Sequence, residues 1–312
     1  MKAVRLHQFA LQDALRVEQL AETLPGPGEL RVRIAAAGVN PIDWKTCAGG
    51  GAAPFIGELP WIPGWECAGV VDAVGEGVSG WQRGDRAMGL LNFPQAGNCY
   101  AEQVCAPADQ WAEVPPPVSL VDAGGLPLAG LTAWQALFEQ AGLQPGERVL
   151  ILAAAGGVGH LALQLARAHG AIPIGTASAT NHPWLTELGC QQCIDYHQPD
   201  ALSQLEPVAV LIDCVGGDSA IAALTAVAAG GRVVTLPTIT ADQVIAAGIE
   251  QGLQVTGMRV RPDAKQLEQL AQLAAEDRLK LRVECCFELD QVAKAHALSQ
   301  SGHAQGKLLL TP

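Results

Sequence analysis

The sequence is poor in basic residues and contains no basic cluster. Lysine and arginine number 19 against 31 aspartates and glutamates, which gives a formal net charge of −12 at pH 7. A nucleic-acid surface needs clustered positive charge, so we expect no nucleic-acid partner. Long apolar runs are also absent: no stretch approaches the ~20 residues that span a bilayer, and the N-terminus lacks the apolar core of a signal peptide. We therefore expect a cytoplasmic protein without a membrane partner.

The cysteines do not form the pattern of a disulfide framework. There are nine of them, an odd number, and they are scattered along the chain. This usage is typical of reduced, mostly buried thiols. Cys190 and Cys193 are spaced like half of a metal site, but no second pair completes it. With 312 residues, 49% of them hydrophobic, the chain is long enough for about two domains of ~150 residues.

A short apolar strand, a glycine turn and a helix follow one another between residues 148 and 170. The turn has the spacing Ala154-x-Gly156-x-x-Gly159, a dinucleotide fingerprint with alanine in the first glycine position. A helix that begins at such a turn directs free N–H groups and its positive dipole end at an anion, most simply a pyrophosphate. The alternative is a plain glycine-rich connection. The candidate cofactor-binding residues here are Ala155, Gly156, Gly157, Val158 and Gly159.

The next strand and loop lack the acid that an NAD site requires. A site for the ribose 2′-hydroxyl of NAD carries Asp or Glu roughly 20 residues after the glycine turn, but no acid lies between Gly170 and Glu187. Small polar residues stand there instead, which favours a 2′-phosphate and therefore NADPH over NADH. The alternative is that they are ordinary loop formers, and the loop contains no Arg or Lys. The candidates are Ser178, Thr180, Asn181 and His182.

The pattern along the chain predicts two domains of different secondary-structure content. Residues 1–118 contain short apolar segments separated by glycine and proline turns, and the prolines at 115–117 mark a border. Strands and helices then alternate, as in a doubly wound parallel sheet. Strand-like segments return near the end and are expected to rejoin the first domain. We predict an α/β protein with a β-rich domain at 1–118 and 263–312 and a Rossmann domain at 119–262. Residues 254–260 would leave an exposed sheet edge, which favours a homodimer.

Seven motifs occur in order along nearly the whole chain. They are residues 38–45 (GVNPIDWK), 63–69 (PGWECAG), 84–86 (GDR), 100–102 (YAE), 131–134 (LTAW), 155–159 (AGGVG) and 306–307 (GK). In sequence and spacing they resemble the medium-chain dehydrogenase/reductase superfamily, and within it the zinc-independent quinone oxidoreductase branch. The resemblance implies a GroES-like catalytic domain built from both chain ends, a Rossmann domain between them, an active site in the cleft, and usually a homodimer.

The same resemblance implies that the protein binds no zinc. In zinc-dependent relatives the first catalytic ligand is a Cys at the position of Asn40, and the second is a His at the position of Trp65. Glu66 remains, but one carboxylate cannot build the three-ligand site of a catalytic zinc. The loop that holds a structural zinc in those relatives offers only Cys99 and Cys105. We therefore expect no metal.

Without a Lewis acid, the favoured reaction is hydride transfer from NADPH to a quinone or an α,β-unsaturated carbonyl. Asn40 is the first catalytic candidate, because its amide can donate to the developing oxyanion or to the cofactor; the alternative is that it caps its own backbone. Lys45 on the same loop is a second candidate. By resemblance, Thr132 reaches towards the nicotinamide. The cofactor set also includes, by resemblance, Tyr196 near the adenosine phosphate and Lys307 beside the cleft, together with Cys214.

Two other functions remain open. The first is a low-turnover NADPH-binding protein, such as a sensor or a weak RNA binder, and the second, less favoured, is a zinc-type alcohol dehydrogenase. The substrate itself is not determined, because residues 48–60 offer no tyrosine or arginine. The apolar aromatic residues of this part of the chain would either wall an aromatic-accepting pocket or belong to the core. They are Trp44, Trp61, Trp65 and Phe93.

Overall fold

The computed structural model of the protein describes residues 1–10, 14–198 and 201–312. The chain divides into two compact units. The first contains Met1–Leu131, Arg261–Asp277 and Leu281–Pro312, and the second contains Thr132–Val260 and Arg278–Lys280. None of the helices in the described ranges is long and apolar enough to cross a membrane.

The first unit is built on a seven-stranded sheet in which both ends of the chain meet. The C-terminal strand β15 (Lys307–Thr311) pairs antiparallel with β3 (Glu29–Val39), so the end of the chain belongs to the first unit. The path through the sheet is β14-β15-β3-β4-β5-β7, β6 also pairs with β3, and β1 and β2 form a separate hairpin. The strands are β1 (Lys2–Leu6), β2 (Leu15–Gln19), β3 (Glu29–Val39), β4 (Glu66–Val74), β5 (Arg86–Leu90), β6 (Gln103–Pro107), β7 (Trp111–Glu113), β14 (Val283–Glu288) and β15 (Lys307–Thr311). The helices are α1 (Pro41–Cys47), α2 (Leu120–Ala123), α8 (Ala264–Ala275) and α9 (Val292–Gln300).

The second unit is a six-stranded sheet in which every pair of strands is parallel. The order is β10-β9-β8-β11-β12-β13, the doubly wound order of a dinucleotide-binding sheet, in which ligands bind where the strand order reverses. Here that point lies between β8 and β11. The strands are β8 (Arg148–Ile151), β9 (Ile172–Thr176), β10 (Gln192–Ile194), β11 (Val208–Asp213), β12 (Val227–Thr235) and β13 (Gln254–Gly257). The helices are α4 (Gly159–Ala168), α5 (His182–Glu187), α6 (Gly217–Ala223) and α7 (Ala241–Glu250), while α3 (Pro127–Trp134) contains the boundary between the units.

This architecture confirms the predicted fold class, an α/β protein with a β-rich domain and a doubly wound parallel sheet. The unit boundary differs from the predicted one, since the first unit extends to Leu131 rather than 118. The cause is α2, which packs against β3 and β4 of the first unit. A second difference is the assignment of Arg278–Lys280 to the second unit. Gln164 explains it, because its side chain both donates to the Lys280 carbonyl (3.0 Å) and accepts from the Lys280 N–H (2.8 Å).

Candidate functional site

The glycine turn joins β8 to α4 in a conformation that requires the fingerprint residues. Ala153 takes a positive φ of 50°, and its carbonyl accepts a hydrogen bond from the Gly156 N–H at 2.9 Å. A Cβ atom on Gly159 would lie 2.3 Å from the Ala153 oxygen, so only glycine lets the helix begin this close to the strand. The third glycine of the motif is therefore required by packing.

The N–H groups at the start of α4 are available to a ligand. Those of Gly157, Val158 and Gly159 donate no hydrogen bond within the described part of the chain, while Gly157 and Val158 are half-buried. Ala155 is buried at the edge of the turn, 9% exposed. Three successive free N–H groups at a helix N-terminus form the arrangement that binds phosphate groups.

The predicted 2′-phosphate loop lies directly beside this turn. Thr176, the last residue of β9, accepts hydrogen bonds from the Ala153 N–H through its hydroxyl (3.1 Å) and from the Ala154 N–H through its carbonyl (2.9 Å). The four predicted polar residues follow Thr176, and hydrogen bonds connect three of them. The Ser178 hydroxyl bonds to Thr180 Oγ1 (3.1 Å) and accepts from Asn181 Nδ2 (3.0 Å), and His182 Nε2 lies 3.1 Å from the Ala177 carbonyl.

The remaining cofactor candidates of the second unit lie at the same carboxyl edge of the sheet. Tyr196 follows β10, is 61% exposed, and its ring lies 4.2 Å from the His197 ring, centroid to centroid. Cys214 follows β11, next to the point where the strand order reverses, and burial raises the pKa of its thiol. Thr132, a catalytic rather than a cofactor candidate, lies in helix α3 and is buried.

Asp213 is a residue of this edge that the sequence analysis missed. It is fully buried at the end of β11. Its Oδ1 atom accepts the N–H groups of Val215 and Gly216, both at 2.8 Å, and its Oδ2 atom accepts the Thr235 hydroxyl at 2.7 Å. The carboxylate therefore fixes the loop that carries Cys214. An acid at the end of an apolar strand, followed by two glycines, is the sequence signal that could have found it.

In the first unit, Asn40 belongs to a buried cluster with Glu66 and Lys307. Asn40 Nδ2 donates to Glu66 Oε1 at 2.7 Å, and Asn40 Oδ1 accepts from Lys307 Nζ at 2.5 Å. Lys307 Nζ also lies 2.7 Å from Glu66 Oε1. The second carboxylate oxygen of Glu66 accepts the Leu128 N–H at 2.7 Å. All three side chains are buried, the lysine to 2% exposure, so each charge is paired and hydrogen-bonded, as burial demands.

A second buried chain of polar groups begins at the same asparagine. The backbone N–H of Asn40 donates to Asp43 Oδ2 (2.6 Å), which also accepts the Tyr100 hydroxyl (2.7 Å). His296 Nε2 lies 3.4 Å from the Tyr100 oxygen. Burial raises the pKa of Asp43 to about 7, against the lowering effect of its hydrogen bonds. Burial also lowers the pKa of His296 to about 4.

The predicted catalytic residues therefore differ in their surroundings. Asn40 is the N-cap residue of α1, and it is only 3% exposed. Lys45, on the same helix, is half-buried with its ammonium 5.4 Å from the centre of the Trp44 ring, and desolvation lowers its pKa. Lys307, a cofactor candidate by resemblance, contacts Asn40 within the first unit. The cluster of Asn40, Glu66 and Lys307 could not be predicted from the sequence, because Lys307 is far from the other two residues along the chain.

The aromatic residues considered as pocket walls pack mostly against one another. Trp65 is fully buried, with its ring centre 5.3 Å from that of Trp61 and 5.4 Å from that of Phe93. Its indole N–H donates to the Gln95 carbonyl at 2.5 Å. Trp61 and Trp65 thus belong to the core, whereas Phe93 packs against Trp65 and is half-buried. Throughout the described ranges, no group of three or more His, Cys, Asp or Glu residues is arranged to hold a metal ion.

Comparison with known proteins agrees with this geometry. Residues 26–116 match the family model of the alcohol dehydrogenase GroES-like domain, and residues 188–310 match that of a zinc-binding dehydrogenase. The chain is 32% identical over 312 residues to the chloroplastic quinone-oxidoreductase homolog of Spinacia oleracea, covering 96% of this chain and 94% of that protein. The protein belongs to the quinone oxidoreductase branch of the medium-chain dehydrogenase/reductase superfamily. It is therefore an oxidoreductase of the medium-chain type, as predicted.

Solved structures of this superfamily superpose on the whole chain. The quinone oxidoreductase from Coxiella burnetii matches with a TM-score of 0.95 and 37% identity, covering 100% of this chain and 99% of that one. The Escherichia coli quinone oxidoreductase complexed with NADPH matches with a TM-score of 0.89 and 27% identity, covering all of both chains. Another relative, the synaptic vesicle membrane protein VAT-1 homolog-like of Mus musculus, is 34% identical over 223 residues. These cover 70% of this chain and 52% of that protein, so the match spans about half of that relative's length.

Proposed function

We propose that this quinone oxidoreductase family member reduces quinones or α,β-unsaturated carbonyls with NADPH, by direct hydride transfer and without zinc. The observation that carries the proposal is the row of three free N–H groups at residues 157–159, beside a polar loop that contains no carboxylate. This combination suits a dinucleotide whose ribose carries a 2′-phosphate. The NADPH complex of the Escherichia coli relative supports the same choice.

The residues of the second unit fit the two charged parts of such a cofactor. The N–H groups of Gly157, Val158 and Gly159 would hold the pyrophosphate. The hydroxyls of Ser178 and Thr180, which already lie 3.1 Å apart, would receive the 2′-phosphate together with Asn181 and His182. When bound, the nicotinamide of NADPH supplies the hydride. The protein then has to orient the acceptor, exclude water and stabilise the negative charge that develops on the acceptor oxygen.

Zinc independence is supported by what the side chains in the first unit already do. Both oxygens of Glu66 accept hydrogen bonds, from Lys307, Asn40 and the Leu128 N–H. The indole nitrogen of Trp65 is a donor and has no lone pair for a metal. A quinone or an enone accepts hydride at carbon and needs no metal to form an alkoxide first. The residues present therefore favour acceptor reduction over alcohol oxidation.

The test is NADPH oxidation, followed at 340 nm, against a panel of quinones and cyclic and open-chain enones, with and without a chelator. We expect turnover with at least one acceptor and no effect of the chelator. Turnover that the chelator abolishes, with stoichiometric zinc in the purified protein, would instead identify a zinc-type dehydrogenase. Tight NADPH binding without turnover across the panel would identify the sensor alternative.

A further inference from the structure

We propose that Lys307 and Glu66 are positioning residues that fix the orientation of the Asn40 amide, so that one of its N–H groups is directed to the substrate oxygen. The inference rests on the proposed function, because it assigns the way in which Asn40 would serve the reaction. Neither Lys307 nor Glu66 needs to touch the substrate for this role. It follows from the chemistry of the three side chains and from their contacts.

An asparagine amide can be placed in two orientations that exchange its oxygen and its nitrogen. The two neighbours of Asn40 accept only one of them. The Lys307 ammonium is only a donor and lies 2.5 Å from Oδ1, while the Glu66 carboxylate is only an acceptor and lies 2.7 Å from Nδ2. In the flipped orientation the Nδ2 group would face the Lys307 ammonium, donor against donor, and Oδ1 would face the Glu66 carboxylate, acceptor against acceptor. Because the cluster is buried, water does not screen either repulsion.

Glu66 is itself held at both carboxylate oxygens. Oε2 accepts the Leu128 N–H at 2.7 Å, and Oε1 accepts from Lys307 at the same distance. Gly38 provides the space, since a Cβ at that position would lie 2.0 Å from Glu66 Oε1. The ion pair therefore has a fixed geometry, and the amide orientation that it selects is fixed with it.

The cluster leaves one donor unused. The Asn40 Nδ2 atom carries two hydrogens, and within the described part of the chain it donates only to Glu66. The backbone of Asn40 is fixed as well, through its N–H bond to Asp43 at 2.6 Å. The second Nδ2 hydrogen is thus a nearly buried donor without a partner among the described residues, and such a donor lowers the stability of a folded protein. We infer that a substrate oxygen is its partner during the reaction.

The first experiment compares Lys307→Met with Lys307→Arg. Methionine keeps most of the side-chain length but cannot donate, so we expect kcat with a quinone to fall ten- to a hundredfold while the Kd of NADPH changes less than threefold. Arginine can still donate to Asn40 Oδ1 and should recover most of the rate. Arg31→Met is the matched control, because it removes another cation of the first unit, paired with Asp72 at 2.7 Å; its kcat should stay within twofold of wild type.

Removing Lys307 alone leaves the Glu66 carboxylate buried and unpaired, which could prevent folding. The double variant Glu66→Gln/Lys307→Met avoids this problem, because it contains no buried charge at the site. We expect it to fold and to show the same loss of kcat. Wild-type kcat in this double variant, with a lowered Tm, would mean that the ion pair serves stability only, and the inference would be wrong.

A second measurement does not depend on turnover. The chain has only four asparagines, so protein labelled with ¹⁵N-asparagine gives a simple spectrum in which Asn40→Asp identifies the Asn40 side-chain signals. In the wild type we expect two distinct Asn40 protons, one protected from solvent exchange by Glu66. In the double variant Glu66→Gln/Lys307→Met, which lacks both groups that select the orientation, the protection should be lost as the amide exchanges its two orientations. If the protection persists there, the inference fails even when the enzyme is active; if the spectra agree but no acceptor is reduced, only the proposed function fails.

Discussion

Replacing Ser178 with aspartate tests the cofactor choice most directly. In the structure the Ser178 hydroxyl lies within 3.1 Å of Thr180 Oγ1 and accepts from Asn181 Nδ2 at 3.0 Å. Both partners can donate to a carboxylate, so they would hold the new side chain in the place of the hydroxyl. The carboxylate would then stand where we propose the 2′-phosphate binds, and where an NAD site carries its acid.

The size of the effect follows from charge and hydrogen bonding. A carboxylate about 5 Å from a phosphate, at the effective dielectric constant of a protein surface, adds on the order of 1 to 3 kcal/mol of repulsion. The hydroxyl donor to the phosphate is lost as well. We therefore expect the Kd of NADPH to rise by about 5- to 150-fold. NADH should not weaken, because its ribose 2′-hydroxyl can donate to the new carboxylate.

The assay is titration of both cofactors, followed by nicotinamide fluorescence, at low and high salt. Ser178→Asn is the matched control: it has the shape of aspartate without the charge, and we expect it to retain the preference for NADPH. The cofactor assignment is wrong if the unmodified protein binds NADH more tightly, or if Ser178→Asp weakens NADPH no more than Ser178→Asn does. A loss that is the same at both salt concentrations would indicate a change of shape rather than of charge.

Four further outcomes are expected. Gly159→Ala should lower Tm and weaken NADPH at least tenfold, because its Cβ would lie 2.3 Å from a backbone oxygen, whereas Gly57→Ala, with no atom within 4 Å, should change neither. Asn40→Ala should lower kcat about a hundredfold or more with little change in NADPH affinity; normal turnover would remove Asn40 from the mechanism. Burial raises the pKa of Asp43 to about 7, so the contribution of Asp43 to stability falls as pH rises from 4 to 7. Burial lowers the pKa of His296 to about 4, so the contribution of His296 to stability rises between pH 4 and 6.5. The slope of either contribution approaches about 1.4 kcal/mol per pH unit. Asp43→Asn leaves only the His296 contribution, so its free energy of unfolding in urea should rise with pH, whereas that of His296→Gln should fall. The two pKa assignments are wrong if both variants show the same pH dependence. Finally, β13 has a single strand partner, β12, among the described residues, and we expect light scattering to give a dimer mass at micromolar concentration, against a monomer mass if this edge is not an interface.

The second unit could be predicted from sequence because its signals are local. The apolar strand, the glycine turn and the helix predicted between residues 148 and 170 lie within one short segment, and the structure forms β8 and α4 there. Some details of this unit were not predicted. The α-helix over Pro127–Trp134 continues as a π-helix over Gln135–Gln140. The predicted edge strand 254–260 is shorter, Gln254–Gly257.

The first unit was predicted less completely, because its polar cluster depends on contacts between distant parts of the chain. Lys307 lies 267 residues from Asn40 and 241 from Glu66 along the sequence, and no periodicity or spacing joins them. The resemblance placed Lys307 beside the cofactor, but it could not supply the hydrogen bonds that bury the ammonium in the first unit. The helix α1 was also missed, since a seven-residue helix that begins with Asn40-Pro41 has too few apolar positions for a period.

The position of Lys307 gives the proposed metal independence a physical basis that the missing ligands alone do not provide. In zinc-dependent relatives, by resemblance, Asn40 stands at the position of a metal ligand, and Glu66 is the carboxylate that survives next to a second such position. In this protein the Lys307 ammonium lies within 2.7 Å of an oxygen of each. A divalent cation could use those oxygens only by displacing a buried monovalent cation that is already paired there. The positive charge is thus supplied by the chain itself, and it acts on the orientation of Asn40 rather than on the substrate.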